Sequence, residues 1–259
     1  MNCHYLSKQI VRSWRDPDNN LILYDIGKDS LEQVAYSDDL FAQEDLLTKS
    51  EEGFFNKKIE NHLAHLSSNW ETIVPDAESN LANALFMYFF LQTERVTRLS
   101  QRVLPDALRF SSRTTRDFKR SAQCMKEKYA IYANHLKSYS LFCSEVGFFS
   151  VPINYEDIAK QDSFAYAAAI RPDLYIMILP KGVDQAIAVR IEENIGVYSF
   201  GIPNALNRVI VPEMYVVEND IAKTKAIFKS FLQMNNIMLG SVGIKNAISE
   251  HWRPTTGST

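Results

Sequence analysis

Apolar positions are densest in the middle of this chain, where residues 84–91 are apolar or aromatic without interruption. A stretch that is apolar on every helical face belongs inside a core. Gln92, Arg95 and Arg98 follow at three-residue spacings, which places them on one side of the same helix. The pattern therefore predicts a central helix over Asn80–Gln101 that begins buried and then presents a fixed arginine close to the core.

Shorter elements are predicted ahead of the central helix. Residues 1–14 have apolar side chains at helix-like spacing, which predicts a first helix. Residues 21–26 and 33–36 are strand-like runs on either side of the turn sequence GKDS, which predicts a small hairpin. Two amphipathic helices should follow, the first beginning with a capping residue at position 37 or 38 and the second covering residues 54–70 after an interruption at Gly53.

The second half of the chain changes from helical to strand-like character. A long helix is predicted over residues 115–145. Runs rich in β-branched and aromatic residues then predict an antiparallel sheet, with the first two runs as neighbours across the short turn LPKGVDQ. A closing helix should start at a cap at position 219 or 220 and end near Asn235. The strand-like runs are residues 174–179, 186–191, 197–200 and 209–217.

These elements predict an α+β fold. A mainly helical N-terminal and central body with a small β-hairpin occupies residues 1–147, and a mostly antiparallel sheet with a closing helix occupies residues 148–259. The two parts form either two domains or one continuous domain. A chain of 259 residues is long enough to bury a substantial core without metals or disulfides.

Charge is distributed unevenly, although the formal net charge is only −3. Residues 1–94 hold 7 Lys and Arg against 16 Asp and Glu, while residues 95–137 hold 11 against 3. Two explanations stay open. Either the acidic and basic parts neutralise each other across a helix–helix interface, or the basic segment forms a surface for nucleic acid, which requires its cations to cluster on one face.

The cysteines and the apolar runs indicate the cellular location that we expect for the protein. Cys3, Cys124 and Cys143 are odd in number and lack zinc-finger spacing, so we expect reduced thiols. Residues 1–15 lack the apolar centre of a secretory signal, and no strongly apolar run approaches the roughly 20 residues that a membrane span needs. The expectation is a soluble, cytoplasmic protein with no membrane partner.

Candidate chemistry rests on scattered residues, because P-loop, GxGxxG, HExxH and GxSxG patterns do not occur. The best metal candidate is His62 with His65, which share a helical face near Glu60 but have no identifiable further ligand. His4 is either a general base or ligand, or a core histidine with one satisfied hydrogen bond. The acidic residues that would form either a magnesium site or a solvated face are Glu44, Asp45, Glu51, Glu52 and Glu60.

The N-terminal segment HYLSKQIVRSW resembles the opening of a mainly bacterial and phage-associated family, domain of unknown function 4238. That family begins with a histidine, followed by a short pattern with a proline, an aromatic or aliphatic pair, an arginine and a final Phe. His4, Arg12 and Trp14 match this pattern in type and position, and Ser7 stands where the proline is expected. The resemblance implies a protein of a mobile-element or phage-conflict locus, and it implies no established reaction.

Two further stretches extend the resemblance over about residues 1–98. LILYDI, SDDLFAQEDLL and FFNKKIENHLAHL are similar to the hairpin and Glu-bearing helices of the family, with Glu60 as its second glutamate. LQTERVT is similar to its Gln-x-x-Arg element through Gln92 and Arg95. The C-terminal half departs from the pattern, because GFFSVPINYED lacks the aspartate that usually precedes the proline.

Two functions follow from these residues. In the first, the chain is a cytosolic interaction or regulatory protein with a protein partner, and His4, Glu60 and Arg95 form a structural polar cluster. In the second, it is a metal-dependent hydrolase or nuclease. Arg95 would then bind phosphate, His4 would act as base or ligand, and Glu60 or Glu52 would hold a divalent metal. The basic residues 95–137 would guide a nucleic acid. The further binding candidates are Arg12, Gln92 and Arg98.

Overall fold

The computed structural model describes residues 2–37, 39–44, 46–69, 80–101, 115–137, 140–153, 164–199, 208–216 and 221–239. These residues form an α+β fold of helices and antiparallel sheets, which confirms the predicted fold class. The expected caps at positions 38, 219 and 220, the end of the second amphipathic helix at Trp70 and the helix stop at Pro105 lie outside the described residues.

Helices and strands occur in blocks along the described chain. The helices are α1 (Lys8–Val11), α2 (Lys49–Phe55), α3 (Asn61–Ser68), α4 (Asn80–Gln101), α5 (Thr115–Lys128), α6 (Gln185–Ser199) and α7 (Ile221–Leu239), with a π-helical segment, Asn56–Glu60, between α2 and α3. The strands are β1 (Asn2–His4), β2 (Asn20–Asp25), β3 (Ser30–Ala35), β4 (Ala42–Glu44), β5 (Tyr129–His135), β6 (Cys143–Ser144), β7 (Phe149–Pro152), β8 (Phe164–Arg171), β9 (Leu174–Pro180) and β10 (Arg208–Val211). Short 3-10 turns cover Arg12–Trp14 and Glu213–Tyr215.

The strands of the described residues pair in antiparallel sheets. β1 pairs with β4, while the two larger sheets have the orders β3-β2-β10-β6 and β5-β9-β8-β7. The predicted hairpin is confirmed, because β2 and β3 pair from Asn20 opposite Ala35 to Asp25 opposite Ser30. β10 lies on the other side of β2, so a strand from the C-terminal part of the chain completes the sheet of the N-terminal hairpin.

The predicted central helix is confirmed as α4. Its first half is buried on several faces, and it packs against α3, the π-helical segment and α5. β9 is buried at six successive positions, 174–179, which means that both faces of this strand are covered. The core thus runs continuously from the N-terminal helices through α4 to the second large sheet.

The predicted helix over residues 115–145 is wrong beyond Lys128. α5 ends there, and the next seven residues form β5, which pairs with β9 from Tyr129 opposite Pro180 to His135 opposite Leu174. Tyr132 and Asn134 are exposed, while their neighbours are more buried, so the side chains alternate as they do in a strand. Pairing with a strand that lies far along the chain overrides a local pattern that is compatible with a helix.

The strand prediction for residues 186–191 is also wrong, as it is for the described part of 197–200. Both runs lie in α6, where Ile191 and Ile195 are buried one helical turn apart. β-branched residues favour strands only weakly, and burial of one helical face outweighs that preference here. β9 therefore has β5 and β8 as neighbours instead of the run that follows LPKGVDQ.

The N-terminal elements differ from the predicted helices as well. Residues 2–4 form β1 ahead of the short α1, and β4 occupies residues 42–44, where a helix was expected. α2 begins later, after Thr48, whose hydroxyl accepts from the amide of Glu51 while the Glu51 carboxylate accepts from the amide of Thr48. This capping box satisfies exposed donors at the start of the helix. Gly53 lies inside α2 and does not interrupt it.

Candidate functional site

The largest fully buried side chain in the described residues is that of Arg95, on α4. Its Nη1 donates to Glu60 Oε1 at 3.0 Å and to Gln92 Oε1 at 3.2 Å. Arg95 has 0% relative exposure and Glu60 has 6%. A buried arginine is tolerated only where carboxylates and hydrogen-bond acceptors replace its water, and this side chain is held by both.

The π-helical segment brings a second carboxylate to the same guanidinium. Glu52 lies on α2 and Glu60 lies at the end of the π-helical segment. In a regular α-helix, two residues eight positions apart would point roughly 80° away from each other. A π-helix has wider i→i+5 turns and rotates less per residue, which reduces this difference. Glu52 Oε2 consequently lies 3.7 Å from Arg95 Nη2, close to the Glu60 contact.

The environment of Glu52 is electrostatically mixed. Burial is the main cause that raises the pKa of this carboxyl, and the neighbouring charge of Glu60 raises it further. The positive charges of Arg95, His4 and Lys8 act in the opposite direction but do not cancel the increase in pKa. His4 and Lys8 thus lie within electrostatic range of Glu52, and the N-terminal segment that carries them is part of the Arg95 surroundings. We name Arg95, Glu52, Glu60 and Gln92 the Arg95 cluster.

Gln92 fixes two separate segments on α4. Its Nε2 donates to the carbonyl of Tyr5 at 2.9 Å and to the carbonyl of Val146 at 3.0 Å. Tyr88, one turn earlier, donates from its hydroxyl to the carbonyl of Gly147 at 2.8 Å. Gly147 has φ +77°, and an added Cβ would lie 2.6 Å from Gln92 Nε2, so no larger residue fits without displacement. These bonds hold the first residues and the 146–147 turn against the central helix.

Polar atoms of the Arg95 cluster remain without a hydrogen-bond partner. They are Arg95 Nε, Arg95 Nη2 and Glu52 Oε2, each fully buried. Ser7 Oγ, which lies in the chain between His4 and Lys8, is also buried without a partner. Buried polar groups are hydrogen-bonded in the great majority of cases, so each of these atoms is an exception.

Arg98 is held by a different carboxylate. Its Nη2 and Nη1 donate to the two oxygens of Glu51 at 2.9 and 3.2 Å, and Nη1 also donates to the carbonyl of Leu46 at 3.2 Å. Burial alone would raise the pKa of Glu51, but hydrogen bonds from Arg98 and from Thr48 outweigh it and lower the pKa to about 2. Arg98 therefore joins α4 to the acidic helix α2.

The remaining predicted site residues lie in three places. His4 belongs to β1, opposite Ala42, on the segment that passes Glu52. Arg12 is at the hairpin, where its Nε donates to Tyr36 Oη at 3.2 Å. His65 faces outward on α3 and contacts Asn69 through Nδ1 at 3.0 Å. In the described part of the chain, no group of three or more His, Cys, Asp or Glu side chains is arranged to hold a metal ion.

A second polar group was not predicted from the sequence. Glu145 has 3% relative exposure, accepts from the Tyr5 hydroxyl at 3.0 Å and accepts from Arg208 Nε at 2.7 Å. Burial raises the pKa of Tyr5, and the charge of Glu145 raises it further by a smaller amount. The guanidinium of Arg208 lies over the ring of Phe41, 5.3 Å from its centroid. These residues come from distant parts of the chain, so no local motif could indicate their contact.

A third polar group lies at the end of the second large sheet. Asp173 accepts from Arg171 Nε at 2.8 Å and contacts His135 Nε2 at 2.7 Å. Arg171 Nη1 donates to the carbonyl of Ser67 at 2.9 Å, which ties the turn between β8 and β9 to the end of α3. Each of these side chains is about one-third exposed, and their contacts hold the end of the second large sheet against the end of α3.

The contacts of Arg95 and Arg98 bear on the uneven charge of the sequence. Both arginines begin the basic segment, and both are paired with carboxylates of the acidic N-terminal part, namely Glu51, Glu52 and Glu60. For these residues, the acidic and basic parts neutralise each other across a helix–helix interface. The cations that remain exposed in the described basic segment are Arg120, Lys128 and Lys137.

Together these features define an α+β protein with a buried arginine–carboxylate centre. No protein-family model, no curated protein and no solved structure matches this chain. The resemblance to domain of unknown function 4238 therefore stays a prediction. Among the described helices, none has the length and apolar character needed to cross a bilayer.

Proposed function

We propose that the chain is an interaction or regulatory protein in which the Arg95 cluster is a structural centre. The observation that carries this proposal is the complete burial of Arg95 between Glu60 and Gln92. A guanidinium that has no exposed surface cannot contact the backbone of a nucleic acid directly. What it can do is fix how the helices meet, because a buried charge that is bonded to specific partners permits few alternative packings.

The contacts of Gln92 support the same role. One side chain bonds the carbonyls of Tyr5 and Val146, which are 141 positions apart in the sequence. Through Arg95, this amide is also coupled to Glu60. The Arg95 cluster thereby connects the N-terminal segment, the acidic helices and the 146–147 turn to α4. Such a centre suits a protein whose surface shape must be constant for a partner to recognise it.

The cellular setting is part of the proposal. Cys143 is buried, Cys124 is exposed on α5, and the three cysteines of the chain, all within the described residues, form no disulfide. Reduced cysteines are typical of the cytoplasm, where we place the protein. The partner class is a protein, and a role in a mobile-element or antiviral defence locus rests on the resemblance of residues 1–98 alone.

The second candidate is a metal-dependent hydrolase or nuclease, and one observation favours it. Glu52 and Glu60 lie beside the same guanidinium, and His4 is within electrostatic range of Glu52. Perturbed carboxyl groups of this kind are enriched at catalytic sites. A divalent metal would have to be held by these carboxylates together with the substrate. Exposed cations in the basic segment would contribute to binding a polyanion.

The deciding experiment compares His4→Ala with the wild type and with a matched control, His65→Ala. Thermal stability and cleavage of DNA and RNA are measured with and without Mg²⁺ or Mn²⁺. We expect no cleavage by any of the three proteins. The melting point of His4→Ala should be several degrees lower, because a loss of about 1 to 2 kcal/mol shifts the melting point of a chain of this size by roughly 2 to 8 °C.

The control has a different environment. His65 is exposed on α3, and its side chain contacts Asn69 in the same helix, so His65→Ala should melt within about 2 °C of the wild type. Metal-dependent cleavage that disappears in His4→Ala while the melting point is unchanged would reject the structural interpretation and establish the hydrolase instead.

A further inference from the structure

β5 lies at the edge of the second large sheet. It pairs with β9 on one side, and among the described residues no strand pairs with it on the other side. Lys181 N donates to Lys128 O at one end of the β5–β9 pair, and Leu136 N donates to Asp173 O at the other end. Such bonds alternate along an antiparallel pair, so the even-numbered residues of β5 bond to β9. The amides and carbonyls of its odd-numbered residues therefore point outward, away from β9.

The other edge strands of the two larger sheets have features that discourage pairing with another chain. Natural edge strands are often short or carry charged residues or proline for this reason. β3 carries Glu32, β7 ends at Pro152, and β6 has only two residues. β5 has seven residues, and none of them is Lys, Arg, Asp, Glu or Pro. Its outer edge is therefore the one most open to a further strand.

Exposed apolar side chains lie beside this edge. The described residues include three large hydrophobic side chains that are well exposed, and two of them are Tyr132 at 47% and Val189 at 46%. Asn134 lies on the same face of β5 as Tyr132, because side chains two positions apart in a strand point the same way. Asn134 Nδ2 donates to Glu192 Oε1 at 3.2 Å, and Val189 is one turn earlier on α6. An apolar surface thus borders the outer edge of β5.

We propose that β5 pairs with β5 of a second copy of this chain and forms a two-fold symmetric dimer. The two strands would run antiparallel with the symmetry axis at Tyr132, so Ile131 would lie opposite Ala133 of the second copy. The amide of His135 already donates to Asn134 Oδ1 at 2.8 Å, so Ile131 and Ala133 would form the central backbone bonds. Tyr132 would face its counterpart in a non-hydrogen-bonded pair, where side chains are closest and aromatic rings stabilise the sheet.

The charges of the edge are compatible with pairing between identical strands. A strand that pairs with itself places like charges opposite one another if it carries a charge at its centre, and such pairs are destabilising. The centre of β5 is uncharged. In the register proposed, Lys128 would lie opposite Leu136 of the second copy, so the lysine that precedes β5 does not meet its own counterpart. A second copy therefore satisfies the outward backbone groups without electrostatic repulsion.

The size of the contact sets the expected strength of the dimer. A seven-residue strand is about 23 Å long, which is a small contact beside the roughly 800 Å² that each partner buries in a standard interface. We therefore expect a weak dimer that depends on concentration. This inference rests on the proposed function and deepens it, since it assigns a second copy of the chain as a partner of the interaction protein.

The experiment is sedimentation equilibrium of the full chain over concentrations from about 1 to 200 µM, where a small interface should give a dissociation constant on the order of 10 µM. Tyr132→Lys should weaken association by at least about tenfold, because two lysines would then lie directly opposite each other. The matched control is Met214→Lys, which makes the same replacement at another exposed hydrophobic residue, with 59% exposure, and should dimerise as the wild type does. Circular dichroism and melting points show that each variant is folded.

A mixture of two variants tests the position of the symmetry axis. Tyr132→Lys and Tyr132→Glu should each associate weakly alone, whereas an equimolar mixture should associate at least about fivefold more tightly, because opposite charges then face each other. A wild type that stays monomeric at the highest concentration overturns the proposal, and so does a dimer that Tyr132→Lys leaves intact or a mixture that gains nothing. An extended strand from a different protein would then be the partner of this edge.

Failure of the dimer can be distinguished from failure of the proposed function. A monomer without nuclease activity overturns the pairing of β5 and leaves the structural role of the Arg95 cluster intact. Metal-dependent cleavage that is lost in His4→Ala with an unchanged melting point rejects that structural role, whatever the oligomeric state of the chain.

Discussion

Replacing Arg95 with methionine is the most direct perturbation of the buried centre. The substitution leaves the Glu60 carboxylate, which has 6% exposure, without the guanidinium that now donates to it at 3.0 Å. Removing one partner of a buried ion pair costs about 3 to 5 kcal/mol, because the other charge stays buried and uncompensated. The melting point should fall by roughly 6 to 20 °C.

A double variant separates the energy of the Arg95–Glu60 ion pair from the energy of the surrounding packing. Arg95→Met with Glu60→Met replaces both charges by apolar side chains of similar length, and such exchanges are often close to neutral. We therefore expect the double variant to be more stable than the sum of the two single changes predicts, by at least about 2 kcal/mol. Urea unfolding followed by circular dichroism gives each free energy of unfolding in the cycle.

The pair Arg98 and Glu51 is the matched control for this cycle. It joins α4 to α2 through two hydrogen bonds, but each side chain retains 15% exposure. Its coupling energy should be about 1 kcal/mol or less, as for pairs near the surface. A coupling energy for Arg95 and Glu60 that is no larger than this control would refute the interpretation of a desolvated structural centre.

Two further results are expected. Gly147→Ala should lower the free energy of unfolding in urea by about 2 to 5 kcal/mol, because Gly147 has a positive φ and an added Cβ would lie 2.6 Å from Gln92 Nε2. Gly53→Ala is the control, because Gly53 faces open space inside α2. This variant should raise the free energy of unfolding by about 0.5 to 1 kcal/mol. The second concerns pH. The folded pKa of Glu51, about 2, is below its ordinary value of 4.5, so its stabilisation is present above pH 4.5 and is lost as the pH falls towards 2. As the pH falls, the wild type should lose about 1 to 2 kcal/mol of stability that Glu51→Gln does not lose. An identical acid profile in Glu51→Gln would contradict the argument from the pKa of Glu51. A Gly147→Ala variant as stable as the wild type would contradict the argument from the positive φ and the short contact.

Local patterns were sufficient for part of this protein. The uninterrupted apolar run 84–91 and the three-residue spacing of Gln92, Arg95 and Arg98 predicted α4 and the face on which these polar side chains lie. The hairpin of β2 and β3 was predicted from two strand-like runs and a turn between them. In each case, the prediction needed only residues that are neighbours along the chain, because helical periodicity and a tight turn are properties of a few consecutive residues.

Tertiary structure decided the remainder. Residues 129–135 become β5 because β9 offers a complete set of backbone partners, although their spacing is compatible with a helix. Glu52 reaches Arg95 because a π-helical segment changes the phase between α2 and α3, and Glu145 meets Arg208 only where β6 and β10 pair. The sequence alone determined which residues would be buried in the central helix. The partners of those residues were decided by long-range packing, because pairing energy depends on distance in space and not along the chain.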